Sequence, residues 1–226
     1  METPLLSVIV PTVGRPSLAR TVRSLLKQGE WLPWEAVLVG DTHAGTWAHQ
    51  LPLARALAAQ HPERLRYVEH DGGLHAWGHP QRNFGATVAR GRYLSWLGDD
   101  DVYLQGAFEH LGRVLRRQED DPRVFLFRWI APWKAVLWEQ AGFLAQDHID
   151  AENIVCPNVP AKLGEWNSAR YQGDYDMIAD TVARWGGVER VRWQPEVIAQ
   201  AQPADAEDWT LGGRDATPLP HGLVPA

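Results

Sequence analysis

The sequence predicts an α/β domain with a mainly parallel sheet flanked by helices and a less regular C-terminal half. Three observations predict it. A short β-branched apolar run opens the chain, such runs alternate with helical patterns up to about residue 115, and 226 residues at 45% hydrophobic content suit one large domain with a substantial core. Strands separated by helices are joined by right-handed crossovers, which makes their pairing parallel.

Leu5-Leu6-Ser7-Val8-Ile9-Val10 is apolar at both sets of alternating positions, as a strand buried on two faces requires, and Pro11 stops it. After a loop over 11–15, a helix is predicted over 16–28. Pro16 suits the first helical position, Leu18, Val22, Leu25 and Leu26 recur at helical spacing, and Gly29 suits a left-handed cap. Ala36 to Val39 form the second strand, ending at Gly40-Asp41. A helical pattern over 47–60 is weakened by Pro52, and Leu65 to Val68 give a third strand. A Gly- and His-rich loop over 71–79, a helix over 80–89 and a strand over 92–97 follow.

Past a helix with Phe108, Leu111, Val114 and Leu115 on one face, the pattern breaks into strand-like runs at 124–130, 135–138 and 153–156. One more helix is predicted at about 175–185. From Pro203 onward Pro, Ala, Gly and Asp dominate, the composition of an extended tail or flap.

Composition narrows the function. The formal charge of -6 gives the chain no overall attraction for a phosphate backbone, so no nucleic-acid partner is expected. The apolar run at 5–10 is far shorter than the roughly 20 residues that span a bilayer, and no transmembrane segment is expected. A single cysteine, Cys156, cannot form an internal disulfide, which points to a reducing, cytoplasmic setting. Walker, Rossmann, nucleophile-elbow and Cys-x-x-Cys patterns are absent. The 12 Trp are roughly four times ordinary usage, and Trp serves both as core bulk and as a stacking surface for sugars.

In sheets of this class ligands bind beyond the carboxyl ends of the strands. Three such ends are polar: residues 11–15, Gly40-Asp41-Thr42, and Gly98-Asp99-Asp100-Asp101. Three adjacent carboxylates repel one another, and a cation relieves the repulsion. On an extended backbone Asp99 and Asp101 point to one side and Asp100 to the other, so one face would offer paired carboxylates to Mg²⁺ or Mn²⁺. A solvated acidic turn is the other reading of the triplet taken alone.

Further residues stand in register with it. Ser7-Val8-Ile9-Val10-Pro11-Thr12 followed by Arg15-Pro16, then Val39-Gly40-Asp41, Gln81-Arg82-Asn83-Phe84-Gly85 with Ala89-Arg90-Gly91, and Asp99 to Asp101 span about residues 5–112. In order and spacing they resemble the family 2 glycosyltransferases with the GT-A fold. The resemblance implies a GT-A-like domain and a nucleoside-diphosphate-sugar donor, UDP- or GDP-linked. It implies that Pro11, Thr12, Arg15 and Asp41 hold the nucleoside and that Arg82 and Asn83 line the donor pocket. Asp99 and Asp100 would face the donor, and Asp99 and Asp101 would hold the metal, Mg²⁺ or Mn²⁺. Gly40 and Gly98 depart from the pattern, since the family often carries acids there.

Gly173-Asp174-Tyr175-Asp176-Met177 resembles the acidic pair that supplies the catalytic base in inverting members, which makes Asp174 the candidate base and Asp176 its neighbour. An Asp before a helix also serves as a routine cap. Trp129, Trp133, Trp138 and Trp166 fall in the presumptive acceptor region, as stacking surfaces or as core. His70, His75 and His79 lack the helical i, i+4 spacing of a zinc site. The expected organisation is one continuous domain, with a nucleotide-sugar-binding half at 1–125 and an acceptor-binding half with the tail at 126–226. The expected reaction moves a sugar to a carbohydrate or other hydroxyl acceptor with inversion. A sugar-nucleotide nucleotidyltransferase would need a glycine-rich phosphate grip and more basic residues than Arg15 near the first strand. A non-catalytic carbohydrate-binding protein would not need the aspartates.

Overall fold

The computed structural model describes residues 3–43, 51–73, 76–118, 121–131, 136–137, 142–146 and 148–203. The first half runs β1 (Leu6–Thr12), α1 (Leu18–Leu26), β2 (Trp34–Asp41), α2 (Leu51–Gln60), β3 (Leu65–His70), α3 (His79–Val88) and β4 (Tyr93–Trp96). Then come β5 (Val102–Tyr103), α4 (Ala107–Leu115), β6 (Phe125–Ile130), β7 (Val136–Leu137), β8 (Ile154–Pro157), α5 (Gly173–Arg184) and β9 (Arg192–Gln200). Among the described residues these strands form one sheet in the order β3-β2-β1-β4-β8-β6-β9-β5, with β7 beside β6.

The parallel part of the sheet is β3-β2-β1-β4. Beyond it the pairing is mixed: β8 is antiparallel to β4 and β6, β9 is parallel to β6, and β5 is antiparallel to β9. Both faces are covered, which explains why the central strands are apolar at consecutive positions. Leu6, Val8 and Val10 of β1 pack with Leu18, Val22 and Leu25 of α1 and Phe108 and Leu111 of α4. Ile9 of β1 joins Val37 and Val39 of β2, Trp96 of β4 and Met177, Ile178 and Val182 of α5, with Phe84 of α3 against them.

Several boundaries differ from expectation for identifiable reasons. Strand β1 continues through Pro11 to Thr12 and pairs with β2 throughout. The carbonyl of Ile9 accepts from Leu97 N at 3.0 Å, so Pro11, two residues on, turns its missing N–H to the same side, where the β4 ladder has ended. Helix α2 is described over Leu51–Gln60 and includes Pro52; Trp47 lies outside the described residues. Helix α5 begins at Gly173, two residues early, which puts Asp174 inside its first turn. Strand β9 was not foreseen. Pro195 and the polar residues Gln194 and Glu196 obscure it, and burial is confined to Val197, Ile198 and Ala199. The remainder of the 135–138 strand and the tail beyond 203 lie outside the described residues. No helix among the described residues is long and apolar enough to cross a membrane.

At the amino ends of the parallel strands a buried carboxylate ties three segments together. Glu35 accepts from Ser7 Oγ at 2.8 Å, from Arg90 N at 2.7 Å, from Arg90 Nε at 2.8 Å and from Arg66 Nη1 at 3.2 Å. Burial raises its pKa, yet these hydrogen bonds, Arg90's foremost, carry it below the usual carboxylate value. Gly91 N donates to Ser7 Oγ at 2.8 Å, and a Cβ at Gly91 would overlap the backbone nitrogen of Ser7. The Ala89-Arg90-Gly91 motif is therefore a close backbone crossing. Gly91→Ala is expected to cost about 1–3 kcal/mol through overpacking, or roughly 5 °C in melting temperature for a chain of this size. Thermal unfolding monitored by circular dichroism checks this, and an unchanged midpoint would contradict the crossing.

Candidate active site

At the opposite, carboxyl ends of the strands the ladder is continued by a side chain. Thr12 Oγ1 donates to Asp99 Oδ2 at 2.7 Å and Val13 N donates to the same oxygen at 3.3 Å. Asp99 stands where a further residue of β4 would have met β1. The triplet itself is not extended: Asp101 N donates to Gly98 O at 3.2 Å, closing a turn over 98–101. Asp99 and Asp101 therefore do not share a strand face, and each is drawn inward by different partners. Asp100 is the most accessible carboxylate of the three. Arg15 Nη1 lies 3.1 Å from Asp100 Oδ2 and 3.5 Å from Asp99 Oδ1.

The segment following β9 closes over this turn. Gln202 N donates to Asp101 Oδ1 at 3.0 Å, and its side-chain amide donates to Asp100 Oδ2 at 3.2 Å. Gln202 holds φ at +39°, a left-handed conformation costly for a non-glycine residue. Arg20 donates to the carbonyls of Pro203 and Asp100 at 2.9 and 3.1 Å, fixing the same crossing from α1.

Two carboxylates that sequence reasoning missed complete the site. The pairing of β8 with β4 brings the short 3₁₀ turn Ala151–Asn153 beside the triplet, and Glu152 accepts from Gly98 N at 3.0 Å. Asp150 caps that turn, accepting from Ala151 N at 2.7 Å. A Cβ at Gly98 would overlap Asp101 Oδ2, so the departure at Gly98 makes room for this inward carboxylate. The available signal was a cap pattern, Asp150-x-x-Asn153, just ahead of a predicted strand.

These groups act on one another's charge. Burial, then the charge of Asp100, pushes Asp101 up to about 6, while a hydrogen bond with Glu152 pulls it down. Glu152 lies well above the ordinary range through burial and the charges of Asp101 and Asp150. Burial, then the charge of Asp150, pushes Asp174 up to about 7, and burial raises Asp150 as well. Arg82 supplies the positive charge acting on Asp101, Asp150, Glu152 and Asp174 together.

Helix α3 sets that guanidinium. Arg82 lies 4.8 Å over the ring of Trp166 and donates to the carbonyl of Trp77 at 2.8 Å. Asn83 exchanges two hydrogen bonds with the backbone of Trp166, at 3.0 and 2.9 Å, so its amide is committed to holding the second half of the chain. His79 Nδ1 donates to Asn167 O at 2.9 Å, and burial followed by the charge of Arg82 lowers its pKa to about 4. A Cβ at Gly173 would stand 2.5 Å from His79 Cε1, so glycine lets the start of α5 reach α3 and carries Asp174 into the cluster.

The other expected residues divide clearly. Pro11 is buried under this rim, and Asp41 ends β2, where Oδ1 accepts from His43 N at 2.9 Å and Gly72 N at 3.3 Å. Asp176 turns toward Arg170, 3.5 Å away, and Asn167. Trp129 and Trp166 are core residues, and Trp133, Trp138 and His75 lie outside the described residues. Among the described residues no group of three or more His, Cys, Asp or Glu stands in a metal-holding arrangement. Asp99, Asp100 and Asp101 nonetheless form an all-oxygen donor set, which fits a hard divalent ion.

The family model for glycosyl transferase family 2 matches residues 7–160. A protein of Escherichia coli (strain K12) named for glycosyl transfer in colanic acid biosynthesis, WcaA, is 30% identical over 103 residues, covering 45% of this chain and 34% of that protein. An uncharacterized glycosyltransferase of Rickettsia bellii (strain RML369-C) is 27% identical over 116 residues, 50% of this chain and 15% of that one. The chain thus matches about a third or less of these relatives' length. Among solved structures, residues 1–349 of Staphylococcus aureus TarS in complex with UDP-GlcNAc superpose with a TM-score of 0.64 at 15% identity, over 90% of this chain and 60% of that one. The mannosyltransferase PcManGT of Pyrobaculum calidifontis, in complex with GDP-Man and Mn²⁺, gives a TM-score of 0.61 at 17% identity, over 92% and 59%. At such identities the likeness establishes the fold, the GT-A arrangement.

The raised pKa of Asp174 has a stability consequence. The fold favours the protonated acid, so this contribution is full below the ordinary carboxylate range and is lost as pH rises through about 7. Asp174→Asn removes the ionisation at nearly the same side-chain size. The stability difference in favour of the variant is expected to grow by roughly 2–3 kcal/mol between pH 5 and pH 8, about 5 °C or more in melting temperature. Melting curves of both proteins across that window check this; a pH-independent difference would contradict the burial of Asp174 beside Asp150.

Proposed function

The chain belongs to glycosyl transferase family 2, and on that premise we propose that it transfers a sugar from a nucleoside-diphosphate donor to an acceptor hydroxyl, inverting the anomeric carbon. One observation carries the assignment of roles. The close seat of Gly173 on His79 brings Asp174, in the first turn of α5, from the other half of the chain to the carboxylates beside the Asp triplet, where burial and the charge of Asp150 push its carboxyl up to about 7.

In the proposed mechanism ionised Asp174 takes the proton of the acceptor hydroxyl as its oxygen attacks the anomeric carbon and the bond to the diphosphate oxygen breaks. Pro11, Thr12, Arg15 and Asp41 would bind the nucleoside side of the donor, at the ends of β1 and β2. Arg82 would meet developing negative charge on the diphosphate, and Asn83 would hold Trp166 beneath it. Asp100, flanked by Asp99 and Asp101, would hold Mg²⁺ or Mn²⁺, which neutralises a departing diphosphate when bound. The nucleotide sugars bound by TarS and PcManGT, and the Mn²⁺ in the latter, favour a UDP- or GDP-linked donor and a divalent ion. Residues 1–125 would thus be the donor half and residues 126–226 the acceptor half. A cytoplasmic setting accords with the single, buried Cys156.

A nucleotide at 100 times its dissociation constant stabilises by about 2.7 kcal/mol, or roughly 5–10 °C here. UDP or GDP with Mn²⁺ is expected to raise the melting temperature on that scale, and Asp100→Asn and Asp101→Asn are expected to lose most of the shift. A full shift in both variants would remove the triplet from metal binding.

For Asp174→Asn turnover is expected to fall by about 10²–10⁴, the usual contribution of a general base, with UDP affinity retained. Because the base works ionised, the wild-type kcat/KM is expected to rise with pH through about 7. Asp176→Asn is expected to remain near wild type. Collapse in Asp176→Asn with near-normal turnover in Asp174→Asn would transfer the role, and near-normal turnover in both would place the base elsewhere.

A further inference from the structure

Beside the cluster stand two large aromatic residues that the core does not use. Trp77 is 47% exposed and Tyr171 is 69% exposed, although they come from loops 94 residues apart in sequence. Their ring centroids are 6.0 Å apart with planes at 79°, so the rings form an open corner. Trp34, Trp96, Trp129 and Trp166 are buried, and among the described Trp residues only Trp31 is exposed to a similar degree as Trp77.

Trp77 is also strained. Its φ is +49°, in the left-handed region that bulky residues avoid, and Gly78 follows at +77°. The surroundings enforce this turn. Trp77 O accepts from Arg82 Nη1 at 2.8 Å, and a Cβ on Gly78 would lie 3.1 Å from Pro11 Cβ and 3.2 Å from Arg82 Nη1. The same guanidinium that balances the carboxylates therefore holds the exposed indole in place. Tyr171 lies two residues before α5, three before Asp174. Its phenol is raised by burial and by the charges of Asp150 and Asp174, which places it within their electrostatic reach.

We propose that Trp77 and Tyr171 form the stacking platform for a pyranose ring of a carbohydrate acceptor, presenting one of its hydroxyls to Asp174. This deepens the glycosyl-transfer reading and rests on it. A pyranose suits the corner chemically, because its axial C–H face is apolar and packs on an aromatic ring while its equatorial hydroxyls reach outward to acidic acceptors. Strain maintained at a solvent-exposed aromatic is a cost that core packing does not explain.

The test uses the full chain and saturation-transfer NMR with cellobiose, maltose, chitobiose and mannobiose as probes, with and without UDP and Mn²⁺. At least one disaccharide is expected to show transfer to its ring C–H protons. Trp77→Gly and Tyr171→Ala are expected to weaken it roughly fivefold or more, the scale of one lost aromatic contact, while Trp31→Ala, at the opposite end of the sheet, leaves it unchanged. Glycine relieves the positive φ, so Trp77→Gly is expected to melt no lower than wild type while losing the sugar, a combination that a structural role would not produce. No transfer from any disaccharide, or full transfer in both variants, would overturn the platform. Loss of the UDP and Mn²⁺ melting shift in Trp77→Gly would also overturn it, by assigning the corner to the nucleoside. A wild-type protein that binds a disaccharide without shifting in UDP or GDP would overturn the donor assignment alone.

Discussion

Negative charge held out of water at one end of the sheet is the constraint on which the rest of the structure depends. Asp99, Asp101, Asp150, Glu152 and Asp174 converge there, with Arg15 and Arg82 as the cations that face them. A buried, unpaired carboxylate costs several kcal/mol, so five of them can coexist only with backbone donors, with cations, or with fewer than five charges. All three devices are present. Val13, Gly98, Ala151, Tyr175 and Gln202 contribute N–H groups, and Asp101, Glu152 and Asp174 are pushed toward their uncharged forms. The turn over 98–101, the 3₁₀ turn before β8 and the early start of α5 are the backbone conformations that aim those donors.

The other end of the same strands uses the same residue types to the opposite effect. Glu35 is as buried as any carboxylate in the cluster, yet two arginines, a serine and a backbone N–H hold it ionised. Its partners lie on β1, β3 and the segment before β4, so this end acts as a staple joining them to β2. Burial alone thus does not distinguish a working carboxylate from a structural one. The distinction lies in whether cations or other acids surround it: acids in the neighbourhood raise the pKa toward neutrality, and guanidinium groups lower it.

What was legible in the sequence follows from the range over which each determinant acts. The first strand, the helix after it and the strand-end positions of Asp41 and Asp99 rest on local periodicity and breakers, and were readable. Two-residue alternation failed at Asp99–Asp101 because that rule assumes extended backbone, whereas Thr12 and Val13 draw Asp99 across to a neighbouring strand. Glu152 gave no local sign of its role, since only the antiparallel pairing of β8 with β4, more than 50 residues away, brings it to Gly98. Strand β9 was hidden for a related reason: its first half is polar and contains Pro195, and its burial comes from β6.

Arg82 explains why the two halves of the chain form one site. Its helix packs on β1 and β2, and Gly85, where a Cβ would stand 2.5 Å from Ile9 Cγ2, permits that close seat. From there the guanidinium covers Trp166, grips the carbonyl of Trp77 and acts on carboxylates contributed by three later segments. The adjacent Asn83 locks the backbone of Trp166 at the same time. A displacement of α3 would therefore unbalance the carboxyl cluster, loosen the exposed indole and free the 166–174 segment together. Two consecutive side chains on one helix make the charge balance of the site inseparable from its shape, so the carboxylates can be held near neutrality only while both halves remain docked.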